Sequence, residues 1–142
     1  ISNTAYTFDI NQRTIEEKKE WFHQFKNSET SICLVGYEND ELVGFVCSTK
    51  FREKEAYNQS LETSVYISEK FKGRGFGKKL MFELITRLKS TNIKNLYALI
   101  TYPNKTSINL HKTLNFIKVG ILNNVGYKFK KYWSVHIYEL KL

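Results

Sequence analysis

Hydrophobic residues recur with a helical period in three segments of the 142-residue chain. In the segment 75–90 they stand at i, i+3, i+4 and i+7, which is the spacing of one face of an amphipathic helix. A shorter helix is predicted over 13–29, where Thr14 is a candidate N-cap followed by glutamates in the first turn. A third is predicted over 104–116 and ends at Asn115, because asparagine tolerates the left-handed conformation at which helices stop.

Shorter apolar or alternating runs predict β-strands. The segments 31–37 and 42–48 predict an antiparallel hairpin that turns on Asn39 and Asp40. The further predicted strands are 61–67, 95–100, 116–122 and 134–140, the last preceded by an aromatic-rich connection at 126–133. Strands interleaved with helices in this order indicate one α/β domain built on a mixed sheet.

The composition is that of a folded domain with a core, since 42% of the residues are hydrophobic and 25% are charged. No apolar run approaches the roughly 20 residues that a membrane-spanning helix needs, and no signal peptide is evident, so we expect a cytoplasmic protein without a membrane partner. Cys33 and Cys47 lie in strand-like runs without partners at metal-ligand spacing. We expect two small core residues in a reducing compartment, with a cross-strand disulfide as the alternative.

The net charge of +8 favours an anionic partner. Nucleic acid, anionic lipid and a phosphorylated small molecule all fit this charge. The charge alone therefore does not choose among them.

The stretch FKGRGFGKKL at 71–80 places three glycines between a predicted strand and a predicted helix, where a backbone can cradle phosphate. It is not a P-loop, because only three residues separate Gly73 from Gly77 and Lys79 replaces the magnesium-binding hydroxyl. It is not a dinucleotide fingerprint, because Leu80 occupies the position of the third glycine. The pattern (Arg or Gln)-x-x-Gly-x-(Gly or Ala) does fit, with a lysine at its first position.

This motif and its surroundings resemble the GNAT superfamily of acetyl-CoA-dependent N-acetyltransferases. The segments that resemble its phosphinothricin acetyltransferase branch in order and spacing are NTAYTF (3–8), FREKEAY (51–57), 61–80, 100–120 and 123–140. The family's first strand and most of its first helix have no counterpart, and the chain begins with Ile1 rather than Met, so we expect an N-terminal piece to be missing.

The resemblance implies the GNAT fold in a single domain of residues 1–142. That fold is a mixed, mostly antiparallel twisted sheet flanked by helices, an α/β architecture that some schemes class as α+β. The resemblance also implies acetyl-CoA as co-substrate, no metal, and a homodimer in which the C-terminal strands seal the mouth of the active site.

The residues that the resemblance assigns to coenzyme A form three groups. The strand residues Val65, Tyr66 and Ile67 match the strand that pairs with the pantetheine arm. The residues matching the pyrophosphate turn are Lys72, Gly73, Arg74, Gly75, Phe76 and Gly77. Asn104 matches an asparagine near the coenzyme, and Ser107 is either a second contact or a helix cap.

Two residues match the family's proton-transfer positions. An amine must lose a proton before it can attack a thioester, and the departing thiolate benefits from an acid. Glu62 lies where the family places a carboxylate beside the acceptor amine, and is the candidate general base. His111 lies where many relatives carry a tyrosine general acid, and is the candidate acid.

The acceptor site is expected to be walled by Arg52, Tyr57, Phe129 and Trp133, with Arg52 available to a substrate carboxylate. The implied acceptor is the primary amine of a small amino acid or an analogue such as phosphinothricin or methionine sulfoximine. Lys72 departs from the family's usual Arg or Gln, which keeps the charge and loses the planar fork.

Three alternatives remain open from the sequence. One is a GNAT enzyme that acts on a protein or polyamine amine. Another is a coenzyme A binder without catalysis. The third is a basic nucleic-acid-binding domain that uses 70–79 and 128–133 as a phosphate and stacking surface. We expect the enzyme, and therefore no nucleic acid partner.

Overall fold

The computed structural model describes residues 4–142. Ile1 and Asn3, the first residue of the NTAYTF segment, lie outside the described residues. In chain order the elements are α1 (Ile15–His23), β1 (Cys33–Glu38), β2 (Glu41–Lys50), β3 (Ser60–Ile67), α2 (Phe76–Leu88), β4 (Asn95–Tyr102), α3 (Lys105–Thr113), β5 (Ile117–Lys128) and β6 (Lys131–Lys141). None of the helices described is long and apolar enough to cross a membrane.

The chain divides into two compact units. One of them comprises Asn27–Tyr97 with Leu140–Leu142. In this unit β1 pairs antiparallel with β2, β2 pairs antiparallel with β3, and the start of β4 runs parallel to β3. The β1–β2 turn lies on Asn39 and Asp40, whose φ angles of 48° and 62° confirm the predicted hairpin. Helix α2 packs on β1, β2 and β3.

The core of this unit is the apolar face of α2 against the sheet. Met81, Leu84 and Leu88 of the helix are fully buried, as are Val46 and Leu96 of the strands. The predicted i, i+3, i+4, i+7 stripe is therefore the core face, and burying such side chains stabilises the fold by about 1.5–3 kcal/mol each.

The other unit comprises the residues up to Lys26 and Ala98–Glu139, and contains α1, α3, the end of β4, and the antiparallel pair β5–β6. The strand order of the sheet is β1-β2-β3-β4-β6-β5, so β5 is an edge strand. Thr14 caps α1 in a complete capping box, as predicted, but the helix ends at His23 rather than at residue 29. Asn115 has a φ of 67° and closes α3 as predicted.

The predicted connection at 126–133 is wrong. Strand β5 continues to Lys128 and β6 begins at Lys131, so that only Phe129 and Lys130 form the turn. Both turn residues are left-handed, with φ angles of 55° and 56°. The tight turn was missed because left-handed two-residue turns are normally marked by glycine or asparagine, and this one contains neither.

The two cysteines are free thiols directly opposite each other on β1 and β2. Because Ser48 N–H donates to the Ile32 carbonyl, Cys33 and Cys47 occupy a non-hydrogen-bonded pair, where opposite side chains come close. Cys47 is buried and Cys33 half-buried. Burial raises the pKa of the Cys47 thiol to about 12, so both the position and the protonation of this side chain are those of a core residue.

Candidate active site

The glycine turn leads from the end of β3 into α2 through a short 3-10 turn at Glu69–Phe71. Gly73 and Gly75 have φ angles of 74° and 81°, a conformation that favours glycine. Gly75 is the N-cap of α2 and has no side chain to satisfy the first helical N–H groups. These N–H groups therefore remain available to an external acceptor at the positive end of the helix dipole.

Most basic side chains around this turn already face carboxylates. Arg74 lies 2.8 Å from Glu38, and Lys72 pairs with Glu69. Lys70 pairs with Glu41 at the start of β2. Lys78 and Lys79 have no carboxylate partner within residues 4–142. The charge that remains for a phosphate is thus supplied by the helix N-terminus and these two lysines.

Strand β3 presents part of its backbone to the side away from β2. Ser68 N–H donates to the Val43 carbonyl, which sets the alternation of hydrogen-bonded pairs along β2 and β3. By this alternation the N–H and C=O groups of Val65 and Ile67 point away from β2, whereas those of Tyr66 point toward it. Two of the three predicted strand residues therefore direct backbone groups toward the opposite edge of β3.

Glycine at position 44 is needed where β2 approaches β3, and the sequence analysis missed it. A Cβ on Gly44 would lie 2.1 Å from the Tyr66 carbonyl oxygen and 3.0 Å from the Ile67 Cα. Only the lack of a side chain allows this approach beside the predicted pantetheine strand. Its signal was a lone glycine within a strand pattern.

Glu62 is a half-buried carboxylate on β3, opposite Thr49 of β2 and Tyr97 of β4. Burial raises its pKa, and the nearby positive charge of Arg52 lowers it in part. None of the hydrogen bonds found among residues 4–142 is donated to this carboxylate. It is therefore a proton acceptor whose oxygens are not engaged by the fold.

Glu62 faces the side of the sheet opposite α2. Gly36 lies beneath Leu80 of α2, and side chains alternate between the faces along each strand. Residues that lie opposite each other on neighbouring strands share a face of the sheet. The register of β1, β2 and β3 therefore places Glu62, Cys47 and Cys33 together on the face that does not carry α2. The carboxylate thus lies away from the main core of this unit.

Phe51 organises the loop after β2, and sequence reasoning missed this role. The Arg52 guanidinium lies 4.4 Å from the centre of the Phe51 ring, and its Nη1 donates to the Phe51 carbonyl at 2.8 Å. The same ring stacks on Tyr97 at 4.5 Å and meets the edge of Tyr57 at 6.0 Å. Arg52 and Tyr57, both predicted substrate residues, are brought together around one aromatic ring.

The other unit holds the remaining predicted coenzyme and acid residues on α3. Asn104 and not Ser107 is the N-cap, and the Asn104 Oδ1 accepts a hydrogen bond from Ser107 N–H at 3.1 Å. His111 Nδ1 lies 2.8 Å from the Ser107 carbonyl oxygen. Because a carbonyl only accepts, this contact assigns the proton to Nδ1 and leaves a lone pair on Nε2.

His111 is only 2% exposed, and its ring meets the edge of Phe116 at 5.0 Å. Burial lowers the pKa of the imidazole, so the neutral form is favoured near pH 7. Its Nε2 is buried without a hydrogen-bond partner in the part of the chain that the structure describes. An acceptor that the described residues leave unpaired calls for a donor from elsewhere.

Phe129 and Trp133 lie at the β5–β6 turn in the same unit. Trp133 Nε1 donates to the Lys128 carbonyl at 2.9 Å, which closes the turn around Phe129. Lys128 is buried, and its Nζ donates to the carbonyl oxygens of Thr7 and Asp9. Lys128 was missed because 126–133 was predicted as a connection, so the sequence pattern gave no sign that this lysine is buried.

The chain belongs to the acetyltransferase (GNAT) family, whose family model matches residues 2–116. The predicted family, the mixed α/β fold with helices on a six-stranded sheet, and the assignment as an acyltransferase enzyme are confirmed. Acetyl-CoA is the acetyl donor that this family uses.

The curated relatives include proteins that match over the whole of this chain. Phosphinothricin N-acetyltransferase of Streptomyces coelicolor is 35% identical over 144 residues, which span 84% of that protein. The L-methionine sulfoximine/L-methionine sulfone acetyltransferase of Pseudomonas aeruginosa is 25% identical over 142 residues, which span 83% of that protein.

Two solved structures share the fold closely. An N-acetyltransferase from Staphylococcus aureus superposes with a TM-score of 0.94 at 33% identity, covering 99% of this chain and 84% of that one. A phosphinothricin acetyltransferase from Sinorhizobium meliloti, solved in complex with AcCoA, gives a TM-score of 0.93 at 24% identity, covering 99% and 76%.

Proposed function

We propose that this enzyme transfers the acetyl group of acetyl-CoA to the primary amine of a small amino acid or analogue, of the phosphinothricin or methionine sulfoximine type. The observation that carries the proposal is Glu62, a half-buried carboxylate to which no hydrogen bond is donated within residues 4–142, on the strand that runs into the glycine turn. The activities of the Streptomyces and Pseudomonas relatives support this acceptor class.

Coenzyme A is proposed to bind along β3 and the start of α2. The glycine turn, Lys72 to Gly77, holds the pyrophosphate through backbone N–H groups, because its own basic side chains are largely paired with glutamates. Lys78 and Lys79 add positive charge near the phosphates. Val65 and Ile67 offer backbone groups to the pantetheine arm, with Tyr66 between them.

Glu62 is proposed as the general base. An α-amino group has a pKa near 8, so most of the substrate arrives as ammonium and has no lone pair. Burial raises the pKa of Glu62, which strengthens it as a proton acceptor, and the positive charge of Arg52 lowers this pKa in part. The carboxylate takes the ammonium proton directly or through one water molecule.

His111 was expected to act as the acid, and its tautomer refines that proposal. With the proton on Nδ1 held by the Ser107 carbonyl, Nε2 can only accept at the start of the reaction. We therefore propose that His111 acts as an acid only after it has taken a proton. Asn104 uses its Oδ1 for the cap and keeps its amide N–H groups for the coenzyme, whereas Ser107 serves α3 through its backbone.

The acceptor site is proposed to use Arg52 and Tyr57 from the loop after β2, and Phe129 and Trp133 from the β5–β6 turn. Arg52 is exposed and already ordered by Phe51, so little rotamer freedom is lost when it meets an anionic substrate. The aromatic side chains provide apolar walls with polar edges.

We also propose a homodimer that works in the cytoplasm, where acetyl-CoA is available. Edge strand β5 carries a row of exposed apolar side chains, which a monomer would leave in water. The row consists of Ile117, Val119, Ile121, Val125 and Tyr127. Light scattering of the purified protein tests this, since a mass near 17 kDa across the micromolar range, close to the 16.8 kDa chain, would contradict it.

The proposed reaction is tested by thiol release from acetyl-CoA with a panel of amino acids that includes phosphinothricin and methionine sulfoximine. Glu62→Gln is expected to lower kcat by roughly 10²- to 10⁴-fold, the usual contribution of a general base. Glu83→Gln, a change of an exposed acid paired with Arg87, is the matched control and should retain the rate.

The outcomes separate the alternatives. Thiol release without loss in Glu62→Gln would contradict the role of this carboxylate. Saturable coenzyme A binding without release for any amino acid would favour a protein or polyamine acceptor, or a binder without catalysis. Salt-sensitive oligonucleotide binding that ignores coenzyme A would favour the nucleic-acid alternative.

A further inference from the structure

Tyr97 lies beside the candidate base Glu62 within the unit that contains α2. The parallel register of β3 and β4 pairs these two residues directly. Residues opposite each other on neighbouring strands share a face of the sheet, so both side chains lie on the face that does not carry α2. Both residues are half-buried. The register therefore brings the Tyr97 ring to the same part of the sheet as the carboxylate.

Phe51 is anchored on this tyrosine. It follows directly after Lys50, the last residue of β2, where the strand pairing ends. Its ring stacks on the Tyr97 ring, with the ring centres 4.5 Å apart and the planes inclined by 27°. The edge of Tyr57 meets the same ring at a centre-to-centre distance of 6.0 Å. Aromatic contacts of this geometry are attractive, so they tie a loop residue to β4 beside the candidate base.

Phe51 in turn fixes Arg52 by two contacts of different kinds. The guanidinium carbon lies 4.4 Å from the centre of the Phe51 ring, a cation–π contact. The guanidinium Nη1 also donates to the Phe51 carbonyl oxygen at 2.8 Å. Because the guanidinium is planar and rigid, a ring face and a hydrogen bond together define both its place and its orientation.

The positive charge held in this way acts on Glu62. Burial raises the pKa of this carboxyl group, and the charge of Arg52 lowers it in part. Cys47 of β2 shares the same face, but burial raises the pKa of its thiol to about 12, so the thiol is neutral near pH 7. The phenol of Tyr97 is likewise uncharged in acid. No carboxylate within residues 4–142 lies at ion-pair distance from Arg52, so the guanidinium keeps N–H groups for an anionic acceptor.

We propose that Phe51 and Tyr97 are positioning residues for the acetyl transfer. Their stack holds the Arg52 guanidinium where one charge serves both the general base and the anionic group of the acceptor. Without the ring, the long arginine side chain regains its rotamers and both effects weaken together. This inference rests on the proposed function, which makes Glu62 the base and Arg52 an acceptor contact.

The test measures the pH profile of kcat/KM and the acceptor KM in Phe51→Leu, with the amino acid that wild type acetylates fastest. Leucine keeps an apolar side chain and removes the ring face. The acidic limb should move to higher pH, because a less well placed Arg52 lowers the pKa of Glu62 less. The acceptor KM should rise roughly 2- to 10-fold, the cost of ordering one long side chain on binding. Phe51→Tyr keeps the ring and should restore both the pH profile and KM.

A double-mutant cycle separates positioning from packing. In the Arg52→Met background the guanidinium is already absent, so Phe51→Leu should add little to either effect. Tyr97→Leu removes the anchor and should move both quantities in the same direction as Phe51→Leu, whereas Tyr97→Phe should move neither. Phe82→Leu is the matched control, the same chemical change at a 63% exposed position of α2, and should leave both quantities unchanged.

A fall in kcat in Phe51→Leu with an unmoved acidic limb and an unchanged acceptor KM would overturn the inference, because packing alone explains it. Effects of Phe51→Leu and Arg52→Met that add in full would also overturn it. Where Phe51→Leu fails to fold, Phe51→Met gives the same comparison, since methionine fills the space without a ring face.

The two proposals fail differently. A wild-type protein that releases thiol with no amino acid would refute the proposed function and this inference together. An active wild type that is impaired by Glu62→Gln, but keeps its pH profile and acceptor KM in Phe51→Leu, would refute the inference alone.

Discussion

Gly75→Ala separates the conformational role of the glycine turn from its role in binding. Gly75 has a φ of 81°, and a Cβ built there meets no atom of residues 4–142 within 4 Å. The free protein would therefore suffer only the left-handed conformation, about 1–2 kcal/mol for a residue with a Cβ. For a domain of this size that is a fall in Tm of roughly 3–6 °C.

The same open space is where the proposal puts the pyrophosphate. A methyl group that clashes with nothing in the free protein would obstruct the close approach of phosphate oxygens to the backbone N–H groups. The affinity for coenzyme A should therefore fall by at least about tenfold, or 1.4 kcal/mol of binding free energy. This loss is separate from the loss of folding stability. Calorimetric titration gives the Kd for coenzyme A. Thermal unfolding without coenzyme A gives the loss of folding stability, and unfolding with coenzyme A gives the stabilisation by binding.

Gly36→Ala is the matched control. Its Cβ would meet Leu80 Cδ1 at 3.3 Å, the end of a flexible side chain, and its φ is not left-handed. We expect a small change in Tm and unchanged coenzyme affinity. If Gly75→Ala kept the full stabilisation by coenzyme A, the assignment of the turn to the pyrophosphate would be refuted.

The remaining predictions concern protons and the β5–β6 turn. Arg52→Met removes the positive charge that lowers the pKa of Glu62, so this pKa should rise. Because a base works only above its pKa, the acidic limb of the pH profile of kcat/KM should move to higher pH. An acidic limb that does not move would contradict the electrostatic interaction between Arg52 and Glu62. Burial lowers the pKa of His111 below its ordinary value of 6.5, so a reaction that needed its imidazolium would lose rate as pH rises through the acidic range below 6.5. We expect kcat to show no such fall there. Lys130→Gly should stabilise the protein by roughly 0.5–1 kcal/mol, because glycine adopts the φ of 56° without the strain that a side chain imposes. Urea unfolding measures this change. A loss of stability would show that the turn is not strained.

The parts of the fold that the sequence predicted are those whose signals are local. The stripe on α2 and the Asn39–Asp40 turn each lie within a few residues, so periodicity and turn chemistry are enough. The turn at Phe129 and Lys130 was missed because its conformation is held by a side chain outside the turn, Trp133 bonding the Lys128 carbonyl. This contact across the hairpin overrides the conformational preference of the two turn residues themselves.

The candidate site shows the same division. Glu62 and the glycine turn lie in one continuous segment whose order of residue types is informative by itself. Lys128 acquires its character from Thr7 and Asp9, more than a hundred residues away in the chain, and Phe51 from its stack on Tyr97. A single sequence carries no information on such pairings, so a buried cation and an exposed lysine look alike in it.

The proton balance of the proposed reaction explains why it suits two proton-accepting side chains of different kinds, the Glu62 carboxylate and the His111 imidazole. An ammonium loses two protons as it becomes an amide: the first must leave before attack, and the second leaves as the tetrahedral intermediate collapses and the thiolate departs. The Glu62 carboxylate is the group proposed to take the first proton. His111 begins with a free Nε2 lone pair, so it has no proton there to give to a thiolate at the outset. The substrate nitrogen can supply the thiolate's proton, and a neutral imidazole that accepts a proton and then releases it is suited to carry it.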